Sequence, residues 1–227
     1  MTTNASLHHI FRQQSSYMPI RPDTRRLPTL RNILTRIYSD LFTIDDRLRW
    51  HDPVDPFLPV EKMIFILEDR RFFRHNGVDL RSLCREIVRA VLIQPHGGAS
   101  TIDMQFVRTA TGFREKTFKR KAYEIILALL IQFRYNKIEI LRSYLDCAFF
   151  GSRLFGIQAI CRHEYQKLPS ELSFDEAAET AAMLVYPRPL LPTPEWRLKV
   201  RRRANYGKRM YPRFEKTFNK LPRWKMF

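Results

Sequence analysis

Two glutamates enter apolar helical faces, where an acid is not expected. Glu68 opens the stretch EDRRFFRHNGVD, directly after the apolar run Met63-Ile64-Phe65-Ile66-Leu67. Val60, Ile64 and Glu68 fall on one helical stripe, and Phe65, Asp69 and Phe72 fall on the next. Glu68 therefore continues an apolar face. A carboxylate there loses hydration and becomes a better general base near neutral pH. The bland alternative is a helix-end carboxylate paired with Arg70 or Arg71. His75 either orients the acid or is a satisfied structural residue. Glu124 shares a helical face with Leu127, Ala128 and Gln132, so it also enters an apolar helix.

Between the two acids lies GGASTIDMQFVR, residues 97–108. Two glycines followed by Ser100 and Thr101 at a helix start expose N–H groups and hydroxyls. Such a site suits phosphate or pyrophosphate, although Gly-Gly-Ser is also an ordinary turn. No Gly-Lys-Ser/Thr follows, which argues against a nucleotide loop. A basic run then carries Arg108, Lys116, Lys119, Arg120 and Lys121. A solvated face explains it as well as an anion site does. Taken together, the two carboxylates, the hydroxyl-rich turn and the cations suit a reaction with one base and a developing pyrophosphate leaving group.

Helices must position these groups. The periodicity predicts an amphipathic helix over 30–41, with Ile33, Leu34, Ile37 and Leu41 on one side, and a helix from Pro59. Asp79 caps a helix over about 80–93, ended by Pro95 and Gly97-Gly98. Ser100 or Thr101 caps one over 102–110. AYEIILALLIQFRY is a long helix, and Asn136 caps KIEILRSYLDCAFF. Gly151 and Gly156 frame a loop. Ser173-Phe174-Asp175-Glu176 is a capping box whose helix Pro187 stops, and a last basic helix starts near Pro194. No repeat and no convincing strand alternation is present. The fold class is all-α, with residues 1–52 a basic polar arm and 53–227 the domain.

The 227-residue chain is long enough for one sizeable core. Its 7 glycines disfavour a turn-rich β fold. A net charge of +17 points to a polyanionic partner: nucleic acid, an anionic membrane surface or a phosphorylated substrate. Cys84, Cys147 and Cys161 stand singly, so they read as small buried hydrophobes rather than a metal or redox motif. The most apolar run, Ile125–Ile131, is far short of the roughly 20 residues a spanning helix needs. The first residues lack a cationic start with an apolar core, so no signal peptide is expected.

A series of blocks in order carries a resemblance. EDRRFFRHNGVD fits E-D-x-x-F-x-x-H-x-G-x-D, and GGASTIDMQFVR resembles G-G-S-T-I-T-Q-Q-L-x-K. RKAYE fits R-K-x-x-E, and KIEILRSYLD resembles K-x-E-I-L-x-x-Y-L-N. FFGSRLFGIQAI and ELSFDEAAETAAML resemble the last shared blocks. Over roughly residues 57–194 the chain resembles the peptidoglycan glycosyltransferase domain, family 51, of monofunctional transglycosylases and class A penicillin-binding proteins. The resemblance implies an all-α, lysozyme-like, two-lobed fold and polymerisation of lipid II into glycan strands. It implies Glu68 as catalytic base, inversion at the anomeric carbon and departure of undecaprenyl pyrophosphate. Glu124 takes the second-glutamate position. Asp69, His75, Ser100, Thr101, Gln105, Arg108, Lys116, Arg120, Lys121 and Lys137 match substrate-binding positions. The resemblance fixes no cofactor, and a divalent cation assisting the pyrophosphate stays open. The implied partners are lipid II, the growing strand, an anionic membrane surface and other cell-wall synthesis proteins, with nucleic acid disfavoured. The implied place is the periplasmic face of a bacterial inner membrane, bound peripherally, with the basic arm and Arg201-Arg202-Arg203 attracted to the lipid. Apolar Ile87, Val91, Leu92 and Ile93 would dip into the interface.

The chain departs from the pattern at Met104, which replaces the first Gln of the Gln-Gln pair and follows Asp103. It departs again at Gln132 (usually Glu), at Asp146 (usually Asn) and at Glu164-Tyr165 (usually Tyr-Phe). Two other readings stand beside the polymerase. One is a lysozyme-like glycan hydrolase, which two carboxylates also suit. The other is an inactive member acting as a basic nucleic-acid- or membrane-binding scaffold.

Overall fold

The computed structural model describes residues 29–48, 57–92, 100–113 and 117–220. The chain divides into two compact units, residues 1–40 and 41–227. The division falls inside a helix; the prolines around position 53, where the sequence suggests a boundary, lie outside the described residues.

Helix α1 spans Leu30–Arg47 and α2 Pro59–Glu68. A 3-10 turn at Phe72–Arg74 leads to α3, Leu80–Val91. Then come α4 (Ile102–Thr111), α5 (Phe118–Ile131) and α6 (Lys137–Cys147). Strands β1 (Phe149–Gly151) and β2 (Leu154–Phe155) form a short antiparallel hairpin, with Phe149 opposite Phe155. Helices α7 (Ile157–Tyr165), α8 (Phe174–Ala182) and α9 (Pro194–Lys220) complete the chain. The class is mostly α, as the periodicity predicts.

Local chemistry explains the helix starts. The Thr101 hydroxyl accepts from the Met104 N–H, the Thr117 hydroxyl from Arg120, and the Asn136 side chain from Glu139. Thr101, not Ser100, is the cap of α4. Ser173 and Glu176 close the expected capping box.

Several details differ from the sequence reading: α8 stops at Ala182, ahead of Pro187, and α1 runs on past Leu41 to Arg47. The helix after Asn136 stops at Cys147, because Ala148 turns extended and Phe149-Phe150 enter the hairpin. Helix α5 starts at Phe118, ahead of AYEIILALLIQFRY, and ends at Ile131. Cys84 is exposed; only Cys161 is fully buried.

The core runs along α2. Val60, Met63, Ile64 and Ile66 are fully buried. Helix α2 packs on α8 and α9. The α8 face is Ala177, Ala178, Ala181 and Ala182, all fully buried, and these small side chains let the two backbones approach closely. On α9, Gly207 faces Leu67, and an added Cβ would lie 3.2 Å from that side chain. Phe65 meets Phe214 and Phe218 at 6.0 and 5.2 Å between centroids. At the other end of α2, Glu61 caps the Leu58 N–H at 2.8 Å and pairs with buried Arg142 of α6 at 2.9 Å. The catalytic-candidate helix is thus fixed at both ends before Glu68 is reached.

Gly77 fixes the loop after α2. Its φ is +83°, and a Cβ there would sit 2.3 Å from the Ala128 carbonyl oxygen of α5. Its own carbonyl accepts from the Thr101 hydroxyl at 2.6 Å. One glycine therefore joins the first block, the start of α4 and the middle of α5.

Candidate active site

Helix α4 organises the site, because its polar side chains face three different partners. Gln105 and Arg108 are three residues apart, hence neighbours on one face. The Gln105 amide nitrogen donates to Glu68 Oε2 at 3.2 Å. The Arg108 Nε donates to Glu124 Oε1 at 3.0 Å, and its Nη2 reaches Glu124 Oε2 at 3.4 Å. One helical face thereby holds both glutamates.

Glu68 ends α2, with its side chain 10% exposed. Its Oε1 accepts from Arg203 Nη2 of α9 at 3.2 Å, and the same nitrogen donates to the Leu67 carbonyl at 2.7 Å. The pairing with Arg70 or Arg71 does not form: Arg70 donates to the Ile66 carbonyl and the Tyr206 hydroxyl, and Arg71 pairs with Asp79 at 3.3 Å.

Glu124 is fully buried and holds two arginines, with Arg120 Nη1 at 2.6 Å from Oε1. Beside it the Ser100 hydroxyl accepts from Lys121 Nζ at 2.9 Å and Arg108 Nη2 at 3.3 Å. Burial, together with neighbouring Arg108 and Arg120, outweighs the pull of Glu124 and lowers the Lys121 ammonium pKa below its ordinary value. Ser100, Arg108, Arg120, Lys121 and Glu124 are therefore one cluster. Lys116 lies outside the described residues.

Asp69, His75, Thr101 and Lys137 sit elsewhere, in a sealed network beneath the site. The Asp69 Oδ2 lies 2.9 Å from His75 Nε2 and accepts from the Ile102 N–H at 3.2 Å. Lys137 Nζ donates to both oxygens of fully buried Asp103, at 3.0 and 2.9 Å, and lies 4.5 Å from the Phe72 ring centroid. The Gln132 amide also donates to Asp103. Burial pushes Asp103 up and Lys137 down from their ordinary values, against the attraction between them. Gln132, a departure from the family pattern, thus meets Asp103, the neighbour of the departure at Met104.

Asp69, His75 and Asp103 place possible ligand atoms within 4.8 Å of one another. They do not fit a divalent cation. The Lys137 ammonium already takes both Asp103 oxygens, and a second positive charge there would be repelled.

Three participants escape the sequence reading. Arg203 reads as part of a lipid-attracting triplet, yet only Arg201 and Arg202 point outward. Its stripe gives the missed signal: Val200 and Gly207, about one helical turn away on either side, are buried. Tyr144 is the tyrosine of the K-x-E-I-L-x-x-Y-L-N block but is given no role there; its hydroxyl donates to Gln105 Oε1 at 2.6 Å. Asp103 is read only as a neighbour of Met104.

Exposed apolar side chains line the outer face of α5 and the turn after it: Phe118 at 95%, Ile126, Leu129 and, in the turn, Phe133. On α3 and just beyond it, Leu80, Val88 and Leu92 are exposed. Ile93 lies outside the described residues, as do the side chains of Ile87 and Val91. No described helix is long and apolar enough to cross a membrane.

The transglycosylase family model matches residues 50–211. A biosynthetic peptidoglycan transglycosylase of Alcanivorax borkumensis is 33% identical over 144 residues, 63% of this chain and 57% of that protein. The Agrobacterium fabrum protein of the same name is 30% identical over 162 residues, 71% of this chain and 72% of that one. Penicillin-binding protein 1F of Bacillus subtilis is 34% identical over 125 residues, 55% of this chain and 18% of that protein. The chain thus spans little more than half of the Alcanivorax protein and under a fifth of the Bacillus one. With the glutamate-bearing helices, the α4 face and the matched span in agreement, this chain belongs to the transglycosylase family, the peptidoglycan glycosyltransferases.

Proposed function

We propose that this protein polymerises lipid II into peptidoglycan glycan strands. The observation that carries the reading is the single face of α4, where Gln105 holds Glu68 and Arg108 holds Glu124. Glu68 accepts the proton of the acceptor 4-hydroxyl. The freed oxygen attacks the anomeric carbon of the lipid-linked donor. The carbon–oxygen bond to pyrophosphate breaks with inversion, and undecaprenyl pyrophosphate leaves with the bonding pair.

The leaving group gathers negative charge, which cations stabilise best where water is scarce. Arg108 and Lys121 meet at Ser100 and supply that charge. Glu124 orients the arginines and carries no proton in this scheme. Asp69, His75, Thr101 and Lys137 support the loop and helix starts that hold the site. The membrane surface is the place for this reaction, because the substrate carries a lipid. The exposed faces of α3 and α5 and the net charge of +17 support peripheral contact with anionic lipid, alongside other cell-wall synthesis proteins.

The test is incubation of purified protein with labelled lipid II and separation of polymer from substrate. Wild-type protein should make polymer. Glu68→Gln keeps size and loses basicity, so turnover should drop by roughly 10²–10⁴-fold with folding intact. Near-normal turnover by that variant would remove Glu68 from the role of base.

A further inference from the structure

A carboxylate at the end of a helix rotates freely unless both oxygens are held. In Glu68 both are held, from opposite sides. Oε1 takes the Arg203 guanidinium and Oε2 takes the Gln105 amide. An amide, however, can present either its nitrogen or its oxygen. With the oxygen turned toward Glu68, two acceptors would face each other. Something must set the amide's orientation.

Tyr144 does so. Its hydroxyl donates to Gln105 Oε1 at 2.6 Å, which leaves the amide nitrogen pointing at Glu68. Only 5% of Tyr144 is exposed, on the buried face of α6. Burial, and then the nearby Glu68 charge, push its ionisation well above the ordinary tyrosine range, so it stays a donor at working pH.

Arg203 adds a further sign that the arrangement serves the carboxylate. Its Nε is buried without a partner, which costs stability. Its Nη2 is spent on the Leu67 carbonyl and Glu68. Each Glu68 oxygen keeps a second lone pair, one of which can accept a proton from substrate.

We propose that Tyr144 is a positioning residue for the reaction, acting through Gln105 to fix the Glu68 carboxylate against the hold of Arg203. The proposal rests on the glycosyltransferase reading for its kinetic consequence. Tyr144→Phe removes one oxygen and keeps the ring. The Gln105 amide then loses its bias, and the base spends time out of line. Misplacement on the scale of 1 Å costs about 10²-fold, so kcat should fall roughly ten- to hundredfold while KM moves less than about twofold.

The experiment is a double-mutant cycle of Tyr144→Phe and Gln105→Leu with labelled lipid II, alongside the side-chain amide NMR signal of Gln105. In wild type the Gln105 side-chain amide protons should exchange slowly with solvent, because the amide is held at both ends. Tyr144→Phe should speed that exchange and lower kcat, and in the Gln105→Leu background it should cost nothing further. Full kcat in Tyr144→Phe, or an equal loss in both backgrounds, overturns the proposal. A Gln105 side-chain amide that exchanges rapidly with solvent in wild type also overturns it, even if the variant fails to fold. Wild-type protein that makes no polymer sinks the glycosyltransferase reading instead, and the amide signal then still decides whether Tyr144 orients Gln105.

Discussion

Asp103 and Glu124 are both fully buried carboxylates paired with cations, yet their partners face different ways. The Lys137 side chain is only 9% exposed, so the Asp103 pair is closed on all sides. The Arg108 side chain is 36% exposed, so the Glu124 cluster opens to solvent through its cation. A sealed pair spends its charge on the fold. A half-open pair leaves its arginine and lysine facing whatever anion arrives. The family motifs assign substrate contact to Lys137 and Arg108 alike, and geometry separates them.

Breaking the sealed pair should have the largest effect. Lys137→Met leaves Asp103 buried with the Gln132 amide and with His75 Nδ1 at 4.0 Å, and removing one partner of a buried pair costs about 3–5 kcal/mol. Denaturant unfolding measures this. Adding Asp103→Asn should restore much of the loss, because no uncompensated charge remains. A Lys137→Met variant of wild-type stability with a raised KM would reverse the assignment and return Lys137 to the substrate.

The open cluster should respond in the opposite sense. Arg108→Ala leaves Glu124 with Arg120, so stability should fall by no more than about 1 kcal/mol. Affinity for the lipid pyrophosphate should drop roughly ten- to hundredfold, since hydrogen bonds to charged groups are worth about 1.5–3 kcal/mol. Titration of undecaprenyl pyrophosphate against both proteins reads this directly. Equal affinity would make the cluster a structural one like its sealed counterpart.

The sequence exposes what is local. Thr101, Asn136 and Ser173 cap helices because their side chains reach N–H groups three residues on. The apolar stripe of α2 and the intrusion of Glu68 into it are legible for the same reason. Contacts across many residues are not. Asp103 finds Lys137 thirty-four positions away, and Arg203 finds Glu68 across 135. The helix after Asn136 ends early because Phe149 finds a strand partner in Phe155, which no helical period announces. Motif order points to both glutamates, but the partners that hold them belong to tertiary packing.

The subtlest difference between the two clusters should be their pH dependence. In the open cluster, burial lowers the Lys121 pKa. Its folded value lies below its unfolded one, so the folded protein releases that proton first as pH rises. Stability from this group therefore increases through the window between the lowered value and about 10.5, the unfolded range. Anion affinity moves the other way, because the cluster loses a charge in the same window. Undecaprenyl pyrophosphate binding should weaken at alkaline pH earlier than an ordinary lysine would allow, while the thermal midpoint does not fall with it. Lys121→Arg keeps the charge throughout this window, since arginine stays protonated up to about pH 12. That variant should hold its affinity across the alkaline range. If wild type and Lys121→Arg lose affinity together, Lys121 does not face the anion, and Arg108 alone carries the open side of the cluster.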